Sequence, residues 1–75
     1  MKNFYDVQQF LKQFGTMIYI GNRLADMELM EAELKELFHS QLIDHRELQT
    51  ALQVLRFEIQ LEKEKQKLVQ VENDE

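Results

Sequence analysis

An all-α fold is what this sequence predicts: a compact three-helix bundle with an apolar connector between helices 1 and 2 and a long C-terminal helix. Three observations carry that expectation. Apolar residues recur at three- and four-residue steps in three separate stretches, the period of helices that each bury one face. The chain has no proline and only Gly15 and Gly21, so nothing breaks long helices inside those stretches. Asparagine, aspartate and glycine stand where helix ends call for them.

The first helix is expected to start after Asn3, whose side-chain oxygen can accept from free amides of the first turn, with Asp6 near the positive end of the helix dipole. Phe4, Val7, Phe10, Leu11 and Phe14 make its buried face. Gly15 suits the left-handed position that ends such a helix. Tyr5 and Lys12 share the flank away from that seam, beside Gln8 and Gln9.

Residues 16–20, Thr-Met-Ile-Tyr-Ile, are β-branched or large and apolar, which favours an extended backbone. A lone short strand would have no partner, so an irregular connector is expected, with Met17, Ile18 and Ile20 covered by the helices and plugging one end of the bundle. Tyr19 and Arg23 carry polar ends that such a connector could hold at the surface. Either Asn22 or Asp26 could cap the second helix. Its apolar stripe is Leu24, Met27, Met30, Leu34, Leu37 and Phe38, with Leu29 outside it, and it runs to about His39-Ser40. Leu42 and Ile43 are expected to fold inward. Asp44-His45-Arg46-Glu47 reads as a capping box that opens the longest helix.

Leu48, Ala51, Leu52, Leu55 and Ile59 form the core seam of that third helix. Val54, Phe57, Leu61 and Leu68 repeat at 3, 4 and 7 residues on a second stripe, roughly opposite the first. One bundle core rarely needs both sides of one helix, so the second stripe points to a homodimer or a partner helix. Residues 1–62 are expected to form the three-helix domain. Residues 63–75 are expected to form a charged helical extension that ends in a frayed acidic tail.

Composition narrows the function. With 75 residues there is room for one small core. The absence of cysteine rules out disulfides and thiolate chemistry. No signal-peptide pattern and no run of about 18 apolar residues occurs, so no membrane span and a cytoplasmic location are expected. Fourteen acidic residues against nine basic ones leave a formal charge of −5, which disfavours generic nucleic-acid binding unless cations cluster locally.

No motif spells out a reaction. Glu36 and His39 have the Glu-x-x-His spacing of di-iron bundles, but there is one such motif and it faces away from the core, so neither metal nor cofactor is expected. Glu28, Glu31, Glu33 and Glu36 spread around a helix surface and lack the pairing or burial that tunes catalytic carboxylates. Gly15 and Gly21 fit no phosphate-binding loop. No enzyme is expected. What remains is a set of aromatic and basic side chains, Tyr5, Lys12, Tyr19, Arg23 and Arg56, of the types that stack bases and follow phosphates in single-stranded nucleic acids. The competing reading makes the tyrosines core-edge residues and the arginines partners of surface acids.

Phe4-Tyr5-Asp6-Val7-Gln8-Gln9, Ile18-Tyr19-Ile20-Gly21-Asn22-Arg23, Glu33-Leu34-Lys35-Glu36-Leu37 and Val54-Leu55-Arg56 together resemble the YqgQ-like proteins, small cytosolic proteins of Gram-positive bacteria. The resemblance extends to about Glu62. It implies a three-helix fold and a single-stranded nucleic-acid-binding regulator, with no catalytic activity or cofactor. It brings no set of binding residues, so the five named above rest on their own chemistry. Single-stranded RNA or DNA is accordingly the expected ligand, and a protein contact through the second stripe of helix 3 is the alternative.

Overall fold

The computed structural model describes residues 1–73, with side chains described as far as Lys67. It contains α1 (Phe4–Lys12), α2 (Arg23–His39) and α3 (His45–Asn73). These meet in one core formed by Val7 and Leu11 of α1, Met27, Met30, Leu34 and Leu37 of α2, Ile43 of the second turn, and Leu48, Ala51, Leu52, Leu55 and Ile59 of α3. Phe4, Phe10, Phe14, Leu24, Phe38 and Val54 pack around its edge. Phe10 and Phe14 meet edge to face with ring centroids 5.4 Å apart, a favoured aromatic geometry.

The helix ends follow from local chemistry. Asn3 accepts from the Asp6 amide at 2.9 Å. At the end of α1 the Thr16 amide reaches back to the Leu11 carbonyl, and Gly15, at φ +82°, donates to Lys12. This closes the last turn through a left-handed residue that glycine adopts without strain. The end of α2 repeats the pattern: Leu42 donates to Leu37 and Gln41 to Phe38. There the left-handed position is held by Gln41 at φ 62°, which carries a Cβ penalty that glycine would not. The capping box at α3 forms both of its bonds, Glu47 N–H to Asp44 Oδ1 at 2.7 Å and Asp44 N–H to Glu47 Oε1 at 3.0 Å.

Of the two candidates for capping α2, Asn22 takes the role, accepting from the Ala25 amide at 3.0 Å. Asp26 does something different. It is the one buried charged residue among the described residues, and its Oδ1 accepts the Ile20 amide at 2.8 Å. This bond ties the connector to the first turn of α2.

Two contacts set the direction of the helices. The Arg23 guanidinium lies 4.4 Å above the Phe4 ring, and the Thr16 hydroxyl donates to Glu33 Oε1 at 3.2 Å. The start of α1 thus meets the start of α2, and the end of α1 meets the middle of α2. The two run side by side in the same direction, and the connector returns along α2 in extended form. α3 then folds back antiparallel to α2, with Arg56 reaching Glu31 and Arg23 reaching Glu58.

The connector is not the buried plug that its apolar character suggested. Met17 is 80% exposed, Ile20 is also exposed, and only Ile18 packs against the core. An extended chain turns alternate side chains to opposite faces. Thr16 and Ile18 therefore face inward while Met17 and Tyr19 face out, and the turn through Gly21 at φ +85° lifts Ile20 off the surface. Leu42 is corrected for a similar reason: Ile43 is buried, but Leu42, its neighbour in the tight turn, is exposed.

Candidate nucleic-acid interface

The extended connector runs beside the C-terminal half of α1, and a hollow of about 290 Å³ lies between them. Ile18 forms its apolar floor, with the buried Leu11 and Met30 directly beneath. Gln8, Gln9 and Lys12 bring amides and an ammonium along the α1 wall, and Thr16, Met17 and Tyr19 form the connector wall. The Tyr19 side chain is free to meet a ligand, being 84% exposed. Tyr5, 62% exposed, lies on the same flank of α1 as Lys12. Lys12 makes no ion pair among the described residues.

The five residues singled out from the sequence thus divide. Lys12 and Tyr19 line one hollow and Tyr5 shares its flank, whereas both arginines are engaged elsewhere. Arg23 stacks on Phe4 and approaches Glu58 Oε2 at 3.6 Å. Arg56 sits 3.4 Å from Glu31 Oε1, an oxygen that Lys35 also approaches at 3.6 Å. Glu31 and Glu33 are about 200° apart around α2. Glu33 faces the connector through Thr16 and Glu31 faces α3, which puts Arg56 on the far edge of α2 from the hollow.

The residues beneath the hollow were read from the sequence as core and not as part of a site. Met30 looked like a core residue, and it is buried, but one edge of it underlies the gap. Gln8 and Gln9 carry no individual signal; their place on the Tyr5–Lys12 flank was the one hint. Glu36 and His39 are exposed on α2, and no group of three or more potential metal ligands forms among the described residues. No helix among the described residues is long and apolar enough to cross a membrane.

On the second stripe of α3, Val54 packs partly against the core, Phe57 is 64% exposed, and Leu61 is exposed. Leu68, the fourth member of that stripe, lies outside the described side chains.

A family model described as YqgQ-like matches residues 1–61, which hold every core residue among the described side chains. A relative from Bacillus subtilis (strain 168), named uncharacterized protein YqgQ, is 45% identical over 60 residues, covering 80% of this chain and 84% of the relative. The match spans α1, the connector, α2 and the packed part of α3 alike. The chain belongs to the YqgQ-like family.

Proposed function

We propose that this protein is a non-enzymatic, cytoplasmic binding module whose ligand is single-stranded RNA or DNA, bound along the α1 flank and the connector. In this reading one unstacked base enters the hollow and stacks on Tyr19 above Ile18. The Gln8 and Gln9 amides meet its polar edge, Lys12 contacts a neighbouring phosphate, and Tyr5 offers a second ring one step along the strand. The observation that supports it is the hollow itself, in which an exposed ring, a free ammonium and two amides surround an apolar floor. Its volume lies at the small end of ligand pockets, suited to one planar ring rather than to a partner helix.

With one cation among the residues lining the hollow, the expected binding is weak and only mildly salt-sensitive. Each phosphate contact to a single strand contributes a slope of about −0.7 in log K against log salt. Fluorescence anisotropy with a labelled mixed-sequence oligonucleotide at low salt should show binding. Tyr19→Ala should weaken it at least about five-fold, from a stacking contribution of ~1–3 kcal/mol. Lys12→Ala should flatten the salt slope. No change in anisotropy at any protein concentration would remove nucleic acid as the ligand.

A second reading rests on Phe57. A phenyl ring 64% exposed beside exposed Leu61 on a long helix is an apolar surface that favours a protein contact.

A further inference from the structure

Resting on the reading of the hollow as a nucleic-acid site, we infer that the main chain of the connector pairs with the Watson–Crick edge of the bound base, so that only bases without a pairing partner are accepted. The connector runs extended beside α1, with Thr16 and Ile18 turned inward and Met17 and Tyr19 outward. The hydrogen-bonding groups of such a chain point sideways, and the N–H and C=O of one residue share an edge. Ile18 serves one edge, and Met17 and Tyr19 serve the other. Whichever edge faces α1 across the hollow, it carries at least one N–H and C=O pair. Among the described residues, neither the N–H nor the C=O of these three residues has a hydrogen-bond partner.

Every base sets a donor beside an acceptor on its Watson–Crick edge: the amino group beside a ring nitrogen in adenine and cytosine, a ring N–H beside a carbonyl in guanine and uracil. One N–H and C=O pair of the connector matches any of them. Recognition of this kind is blind to base identity and strict about pairing, since a duplex has those atoms occupied. Gln8 and Gln9 on the opposite wall carry the same groups, but ordering them costs rotamer freedom. The connector is already fixed at both ends. Its Ile20 amide donates to Asp26 Oδ1 at 2.8 Å and its Thr16 hydroxyl to Glu33 Oε1 at 3.2 Å, with Ile18 packed on the core between them. The connector therefore takes the pairing edge, and the glutamine amides take the remaining polar atoms of the base.

Two isomeric strands test this by fluorescence anisotropy at low salt. Oligouridines methylated at ring nitrogen 3 or at ring carbon 5 are both neutral in the base, and only the first has its pairing edge blocked. The carbon-methylated strand should bind as unmodified oligouridine does. The nitrogen-methylated strand should bind about ten-fold more weakly or worse, because it lacks the one donor on that edge and leaves a connector carbonyl unpaired. Gln8→Ala combined with Gln9→Ala should lower both affinities and keep their ratio. In the ¹⁵N-labelled wild-type chain, an amide proton among Met17, Ile18 and Tyr19 should move downfield with the carbon-methylated strand and not with its isomer.

Equal affinity for the two isomers overturns the pairing while leaving nucleic acid as the ligand. A ratio that vanishes in the double variant also overturns it, by assigning the pairing edge to the glutamine side chains. Failure of all three strands to bind overturns the nucleic-acid reading, and the pairing with it.

Discussion

Removing the Asp26 carboxylate tests what holds the connector in place. Asp26 is 4% exposed and its Oδ1 accepts the Ile20 amide at 2.8 Å. A hydrogen bond to a charged acceptor contributes ~1.5–3 kcal/mol, and a carboxylate in the first turn of α2 adds ~0.3–1 kcal/mol through the helix dipole. Ile20 is exposed, so water can satisfy its amide once the carboxylate is gone, which holds the loss toward the lower end. Asp26→Ala should therefore cost about 2 kcal/mol. Stability of ~0.05–0.15 kcal/mol per residue leaves such a small domain folded but visibly weakened. Asp26→Asn keeps an acceptor of the same shape and should cost about half as much. Urea unfolding gives the stability change, and hydrogen exchange at Ile20 gives its location. Since Tyr19 precedes the tethered amide, oligonucleotide binding should fall in Asp26→Ala even where the protein is fully folded. Unchanged stability with unchanged exchange at Ile20 would refute the idea that this bond anchors the connector.

Other perturbations have clear signs. Gln41→Gly should stabilise by about 1 kcal/mol, because φ 62° costs a side-chain-bearing residue ~1–2 kcal/mol and the gain is partly offset by unfolded-state entropy; thermal unfolding reads it. Asp44→Ala removes one half of the capping box at α3 and should cost ~1 kcal/mol by urea unfolding. Arg56→Ala loses an exposed pair with Glu31, a change of under about 1 kcal/mol. It should leave oligonucleotide affinity unaltered, in contrast to Lys12→Ala.

The helices were legible because their information is local. A 3.6-residue period, an Asn or Asp one residue before each helix, and a Glu three positions after Asp44 can all be read without knowing what packs where. The seam of α3 is the clearest case, with Leu48, Ala51, Leu52, Leu55 and Ile59 all buried as the spacing requires. The connector was opaque because its burial depends on the direction of α1. Once α1 runs parallel to α2, the return strand crosses α2 on one face only, and alternation exposes Met17 and Tyr19 however apolar the segment is. Asp26 was legible as an acceptor near the start of α2, but its choice of the Ile20 amide over its own helix depends on that same return path. The contacts of the arginines were hidden for a related reason. Nothing in the spacing of Arg23 and Arg56 reveals that Phe4, Glu58 and Glu31 lie within reach, since each of those contacts joins different helices. The hollow, made by α1, the connector and one edge of Met30, has no sequence signature of its own.

In the proposed function the flank of α1 and the connector form one ligand surface. A ¹⁵N-correlation titration of the labelled protein with a single-stranded oligonucleotide tests it most directly. The expected result is a set of shifts at the backbone and side-chain amides of Gln8 and Gln9 and at the amides of Lys12 and Tyr19, with Arg56 and Glu31 unmoved. Shifts confined to the α2–α3 edge around Arg56, or none at all, would contradict it.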